Sequence, residues 1–359
     1  RKGPRVIVVE KGALASGQTK RSGALIHTQY DFEPEARLAL ASLRTFQNWS
    51  EIVGGNCGFT QTGLVSTAGS ESDAARLRSQ IDRLSSIGVN TRIISPAELP
   101  ELQPAARVDD LALAAYEPES GYADPVAVTQ TLAARAKDLG VTFKTGTYVR
   151  SILVDHGHVT GIDTNVGLIN ALTVVVMAGP WSDRLLTPLG VGIGIRPLRA
   201  QVAFFDRPKE FKSGHAAFVD SITGVHFRPH TFGLTMAGLT APQVEEMKNP
   251  DQFDETVSQE LVADVQQRLA TRLPAMANAR FMRGHAGIYD MSPDGHAVLG
   301  RAPGIHGLII AAGFSGTGFG LAPGVGACIS ELIADGEART VDLSAFQPER
   351  FAENKRVDM

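Results

Sequence analysis

The stretch IIAAGFSGTGFGLAPGVG, Ile309 to Gly326, limits the folds open to this chain more than any other. A continuous apolar run predicts a buried strand over Leu308–Ala311, and a loop carrying Gly313, Gly316, Gly318 and Gly320 follows. The residues after it predict a helix over Pro323–Ala334. A strand that empties into a glycine loop at a helix start exposes backbone N–H groups and the positive end of the helix dipole. Such a loop suits a ligand that carries negative charge. A glycine pattern alone is weak and a plain strand-to-helix turn competes with it; the strand–loop–helix order favours the ligand.

Two further segments predict buried parallel strands, Arg5–Glu10 and Leu172–Met177. Apolar spacing predicts amphipathic helices over Pro34–Val53, Ser72–Ile87, Pro125–Leu139 and about Glu255–Leu273. Tyr148–Val154 and Val159–Asp163 form a hairpin pattern about His156-Gly157, and Leu198–Phe205, Gly224–Arg228 and Gly233–Ala237 look antiparallel. Parallel-type strands at the start, middle and end, with antiparallel material between, imply an α/β dinucleotide-binding, Rossmann-like domain carrying an inserted α+β antiparallel-sheet domain. The expected division assigns 1–60, 125–195 and 285–359 to the nucleotide domain, and 61–124 and 196–284 to the substrate domain.

Composition narrows the function. At 359 residues the chain has room for two cores. A net charge of −4 with scattered cations gives no reason to expect a nucleic-acid partner. Cys57 and Cys328 are the only cysteines and form no CxxC, so neither a disulfide framework nor a metal site is expected, and a reducing cytoplasm fits. No apolar run approaches the roughly 20 residues that span a bilayer.

Local chemistry adds candidates. Glu10 ends a strand where an acidic residue can accept hydrogen bonds from an adenosine ribose, although a solvated strand end is the commoner case. The loop Ala15–Leu25 offers hydroxyls, backbone donors, Lys20 and Arg21 to a diphosphate and a flavin ring; an exposed loop is the alternative. At Ala178-Gly179-Pro180-Trp181 small residues would let a bulky ligand approach the backbone.

VVEKG at Val8–Gly12, AGPWSD at Ala178–Asp183, HAGIYDMSPDG at His285–Gly295 and AAGFSGTGFG at Ala311–Gly320 occur in the order found in the D-amino-acid-oxidase-type flavoproteins. Over nearly its whole length the chain resembles that superfamily, most of all its sarcosine oxidase and dimethylglycine dehydrogenase branch. The resemblance implies FAD. Glu10 and Lys11 would meet the adenosine ribose, and Val149 the adenine through its backbone. Ser16, Lys20, Arg21, Ser22, Gly23, Ala24 and Leu25 would line the diphosphate and isoalloxazine. Ala178, Gly179 and Trp181 would pack on the adenosine half. Gly287 would sit near the flavin, with Gly313, Phe314, Ser315, Gly316, Thr317 and Gly318 at its pyrimidine edge.

Three departures qualify the resemblance. Relatives that attach flavin through cysteine carry it where this chain has Gly287, and others use a histidine near Arg21, so FAD held without a covalent bond is expected. Simple oxidases place a lysine over the flavin on a strand matching FGLTMAG, which puts Thr235 at that position and argues against fast reaction with oxygen. The activity implied is oxidation of the C–N bond of an amino acid or N-methyl amino acid, with oxygen or another electron acceptor and with His27, Arg228 and Tyr289 as catalytic candidates; Arg21 and His226 stand near them. Oxidation of a hydroxy acid or polyol phosphate, or a partner-dependent subunit of a heteromeric complex, remain alternatives. The Arg5–Glu10 strand is expected to be the second of its sheet, with a strand–helix unit of roughly 30 residues and a GxGxxG-like turn ahead of Arg1. Acid precipitation of the holoprotein should leave the yellow colour in the supernatant; colour retained in the pellet would show a covalent link.

Overall fold

A computed structural model of the chain describes residues 5–211, 214–240 and 246–352. Its largest element is an eight-stranded sheet with the spatial order Phe281–Met291, Arg196–Asp206, Leu234–Leu239, Val225–His230, Ala217–Asp220, Leu64–Ala68, Leu113–Glu117 and Arg92–Ile94. Neighbours are antiparallel except Ala217–Asp220 beside Leu64–Ala68. Because side chains alternate across a strand, Ala203, Phe205, Phe218, Val225, Phe227, Ala237 and Leu239 all fall on one face. The helix Gln259–Arg272 covers that face with Leu261, Val262, Val265 and Leu269, and Ser258 caps its start by accepting from the Leu261 N–H at 3.2 Å.

The helix is locked at its far end by charge. Arg272 is 0 % exposed and donates to Asp220, also 0 % exposed, at 2.7 Å, and to Asp110 at 2.9 Å. Thr67 donates to the same Asp220 at 2.8 Å. Burial opposes the charge on Asp220, but the hydrogen bonds and charge of Arg272, with Thr67 and Thr223, hold its carboxyl below the usual range.

The nucleotide-type region is built from separated pieces. Ile7–Val9 runs parallel to Thr142–Lys144, and Val174–Val176 runs parallel to Leu308–Ala312, whose other edge takes Val298–Arg301 antiparallel. An antiparallel meander, Val149–Asp155, His158–Thr164 and Gly167–Asn170, packs beside them. Helices Glu33–Gln47 and Gly318–Ala334 share a buried seam in which Gly324 lies against the Leu38 carbonyl and Ser42 donates to the Leu321 carbonyl.

Several expectations need correction. The first strand is only Ile7–Val9, with Val8 37 % exposed, because among the described residues no strand hydrogen-bonds its other edge. Val174–Val176 is likewise shorter than Leu172–Met177, and both flanking residues are exposed. The helix expected over Pro34–Val53 breaks at Asn48, whose backbone leaves the helical region, and Trp49–Ile52 forms a separate turn. The last helix begins at Gly318 and contains Pro323 rather than starting with it. Leu64–Ala68, Leu113–Glu117 and Ala217–Asp220 were not foreseen as strands.

Replacing Arg272 with methionine should cost about 3–5 kcal/mol, because it strands a buried carboxylate. Urea denaturation at neutral pH would measure this. In the parent chain the pair's contribution is complete above about pH 4 and fades as the pH falls through the lowered value of Asp220, so acid should narrow the difference between the two proteins.

Candidate cofactor and substrate site

The face of the large sheet opposite the helix carries polar side chains on two strands beside a small apolar cluster of Val202, Phe204, Leu234 and Met236. His226, Arg228 and His230 alternate along Val225–His230 and stand opposite Gly238, Met236 and Leu234. Arg283, His285, Gly287 and Tyr289 occupy the same face of Phe281–Met291, opposite Phe204, Val202, Ala200 and Leu198. The loop after the first strand lies across this face. Gly23 approaches Met236 and His226, and its carbonyl accepts from Arg228 Nε at 2.6 Å. Gln18 accepts from the Ile288 N–H at 2.8 Å. His285 Nε2 lies 3.2 Å from the Arg21 carbonyl. A Cβ added at Gly287 would come 3.1 Å from the Arg21 Cβ and 3.3 Å from Gln18 Oε1, so a side chain there would have to push the loop back by a few tenths of an ångström.

The glycine loop joins the same site from the other side. Asp290, 8 % exposed, accepts from the Gly313 N–H at 2.9 Å, and its carbonyl accepts from the Ser315 N–H at 3.3 Å. Gly316 has φ +96°, and a Cβ there would meet the Tyr289 ring at 3.1 Å. Thr317 precedes the helix but turns its hydroxyl to the Phe314 carbonyl at 2.7 Å, leaving the first helical N–H groups uncapped. These donors fit the electron-rich pyrimidine edge of a flavin. Asp290 and Gln18 organise the site although sequence reasoning passed over them; Asp290 sat inside a quoted motif, whereas nothing marked Gln18.

At the far end, Glu10 accepts from the Gly12 N–H at 2.6 Å, and its carbonyl accepts from the Thr147 N–H at 3.0 Å, which brings Val149 close in chain to this turn. Lys11 stands 4.5 Å over the Trp181 ring and pairs with Asp251 at 2.6 Å; Trp181 donates to the same carboxylate at 2.9 Å, and Arg184 pairs with it too. These hydrogen bonds, from Lys11 first and then Arg184 and Trp181, hold Asp251 well below the usual carboxylate range. Ala178 and Gly179 lead into this cluster, Gly179 with φ +52°. Ser16 and Gly17 accept from Arg21 Nη1, and Ser22 accepts from the Ala24 N–H at 3.0 Å. Lys20 is exposed, and Leu25 begins a short strand paired with Tyr122.

Three groups stand out chemically. His27 stacks on Tyr30 at 4.7 Å, and its buried Nδ1 has no hydrogen-bond partner among the described residues; burial and then His226 hold it down to about 4, so its ring is neutral. Arg228 is 3 % exposed, lies 4.3 Å over the Tyr122 ring, and has no carboxylate partner among the described residues. Burial lowers it only to about 10, so it stays charged. Burial also raises the Tyr289 hydroxyl. Thr235, expected over the flavin, points the other way: it is 0 % exposed and lies 2.8 Å from His215 Nε2 in the core. The alternation of the strand gives the site-facing places to Leu234, Met236 and Gly238 instead. Among the described residues no group of side chains could hold a metal, and no helix is long and apolar enough to cross a membrane.

A two-part α/β protein with a glycine loop, uncapped helix donors and a polar sheet face defines a flavin-dependent oxidoreductase. The chain belongs to the FAD dependent oxidoreductase family, whose model matches residues 1–332. It is 26% identical to the mouse pyruvate dehydrogenase phosphatase regulatory subunit over 92% of this chain and 38% of that protein, so it spans well under half of that relative. It is 24% identical to sarcosine oxidase subunit beta of Rhodobacter capsulatus over 98% of this chain and 84% of that one. The crystal structure of L-proline dehydrogenase from P. horikoshii superposes with a TM-score of 0.89 at 25% identity, covering 98% of this chain and 99% of that one. The resemblance to D-amino-acid-oxidase-type flavoproteins thus holds, FAD is the cofactor, and the fold is a Rossmann-like FAD-binding region with an inserted sheet domain.

Burial raises the Asp290 carboxyl to about 6, against the pull of the surrounding N–H groups. The folded state therefore holds this proton more tightly than the unfolded chain. Stability should fall as the pH rises from about 4 through about 6, by about 2–3 kcal/mol. Asp290→Asn keeps an acceptor for Gly313 and should remove that part of the slope; identical pH profiles for the two proteins would exclude it.

Proposed function

We propose that the chain oxidises the C–N bond of an amino acid or N-methyl amino acid, and that the product imine is released to hydrolysis. The observation that carries this reading is Arg228: a nearly buried guanidinium beside the Gly23 loop, positioned by a carbonyl and an aromatic ring and neutralised by neither. A buried cation without a counter-ion suits a substrate carboxylate, which accepts two parallel hydrogen bonds from the guanidinium fork. Bound FAD supplies a hydride acceptor for the carbon next to the amine nitrogen.

The chain's own groups would do the rest. Arg228 orients the carboxylate. His27, neutral and with an unpartnered Nδ1, accepts a hydrogen bond from the substrate amine and so favours the neutral amine that oxidation needs. Tyr289, packed on Gly316, closes the wall beside the glycine loop and excludes water. Glu10, Lys11, Ser16, Trp181 and the Lys20–Leu25 loop would hold the cofactor's nucleotide and ring, and the Gly313–Gly318 loop its pyrimidine edge. Gly287 supports non-covalent attachment. With no lysine among Leu234, Met236 and Gly238, slow reaction with oxygen and transfer to another acceptor follow. Segments 1–60, 125–195 and 285–359 would form the cofactor domain, and 61–124 and 196–284 the substrate domain. Two relatives are named as subunits, which favours a second reading in which the chain works inside a heteromeric complex.

Arg228→Lys keeps the charge and loses the fork. It should raise KM for the amino acid about 10- to 100-fold, with a smaller fall in kcat. A fall in kcat at unchanged KM would remove Arg228 from the anchoring role.

A further inference from the structure

The polar sheet face ends in more positive charge than one substrate carboxylate can balance. His230 lies between two guanidiniums: its Nδ1 is 3.3 Å from Arg228 Nη1 and its Nε2 is 3.1 Å from Arg283 Nη2. The charge of a third, Arg207, reaches the same imidazole. Arg207 carries two buried donors, Nε and Nη1, that have no hydrogen-bond partner among the described residues. None of the three arginines forms an ion pair with a described residue. Two of them are positioned by groups that do not neutralise them: Arg228 by the Gly23 and Pro229 carbonyls and the Tyr122 ring, and Arg283 by the Phe204 ring at 3.8 Å. The carboxylate whose charge reaches Arg228 and His230 is Asp124. Its Oδ1 is occupied, accepting from the Val126 and Ala127 N–H groups at 2.8 and 2.9 Å as the cap of the helix Pro125–Asp138.

The imidazole between the guanidiniums is itself frustrated. A guanidinium only donates, and a neutral imidazole has one acceptor nitrogen and one N–H. One of the two close approaches to His230 is therefore a hydrogen bond, and the other sets donor against donor. An acidic group placed there would accept from the imidazole N–H and from both arginines at once. The cations also form a gradient from the nearly buried Arg228 through the half-buried Arg207 to the exposed Arg283. That layout matches an anion at depth and a second one nearer the opening.

Resting on the amino-acid reading above, we propose that the substrate carries a second acidic group. It is a dicarboxylic amino acid, or an amino acid bearing a carboxyalkyl group on nitrogen, with its α-carboxylate on Arg228 and its distal carboxylate held by Arg283, Arg207 and His230.

Two measurements on the FAD-loaded protein test this. Anaerobic stopped-flow reduction of the flavin compares L-alanine with L-aspartate and L-glutamate, and sarcosine with iminodiacetate. The dicarboxylates should react with second-order rate constants at least about tenfold higher, as expected for one further charge-assisted contact. Arg283→Gln and Arg207→Gln should each lower that ratio about tenfold, whereas Arg76→Gln, an exposed cation on the Glu71–Ser86 helix, should leave it as it is. Independently of turnover, malonate, succinate and glutarate should perturb the flavin absorbance at concentrations at least about tenfold below acetate, with the same two variants weakening them. Equal constants for mono- and dicarboxylates, or a preference untouched by both variants, would overturn the proposal. If no amine reduces the flavin but dicarboxylates still bind in a variant-sensitive way, the acidic site stands and the amino-acid reading falls.

Discussion

The two-sidedness of the large sheet is the constraint on which the rest of this protein depends. One face is apolar and dry under the helix Gln259–Arg272. Because side chains alternate, the residues between those apolar positions are forced to the opposite face, and on Val225–His230 and Phe281–Met291 they include histidines, arginines and a tyrosine. A slip of one residue in the pairing would send Arg228 and His226 into the core and Phe227 into the site. The Arg272–Asp220 pair resists sliding of the helix along the sheet, because both partners are fully buried and neither can separate without stranding a charge. The core thereby sets where the chemistry faces.

The cofactor loops depend on that face in turn. Gly23 is tied to Arg228, Gln18 to Ile288 and Gly313 to Asp290, so the two loops expected to hold the flavin are hydrogen-bonded to strands of the sheet rather than only to their own neighbours. The N–H groups left over at the start of the Gly318–Ala334 helix have no side-chain cap. A site in which protein donors are left without protein acceptors is preorganised for a ligand that supplies them. The same logic runs through His27 Nδ1 and the two buried donors of Arg207.

Electrostatics separates the roles of the ionisable groups. Burial above all holds His27, His226 and His230 near 4, helped by neighbouring arginines at His226 and His230, so these rings are neutral at physiological pH. The arginines beside them stay charged. This side of the sheet is thus a field of fixed cations with neutral imidazoles among them, a setting that attracts acids and keeps the imidazoles unprotonated. The Lys11–Trp181–Asp251 cluster, by contrast, neutralises itself, and it ties the loop around Asp251 to the turn after the first strand.

The local pieces were legible in the sequence. The strand–glycine loop–helix at Ile309–Gly326, the helix starting at Pro125, the hairpin at His156-Gly157 and the motifs that mark the family each carry their own signature within a short window. Leu64–Ala68 and Ala217–Asp220 were not legible, because they pair with each other across about 150 residues of chain and neither shows a clear alternating pattern. Thr235 illustrates the same limit: its place in the strand could be read, but which face it occupies is fixed by its register with Phe205 and Pro229. The gathering of Arg207, Arg228, Arg283 and His230 is likewise a property of four elements brought together. By itself the sequence determined the family, the cofactor and the helix and loop chemistry, because those depend on neighbours along the chain. Only the tertiary structure decided which cations share one site and that no described carboxylate forms an ion pair with them, since the energy of a charge depends on what surrounds it in space.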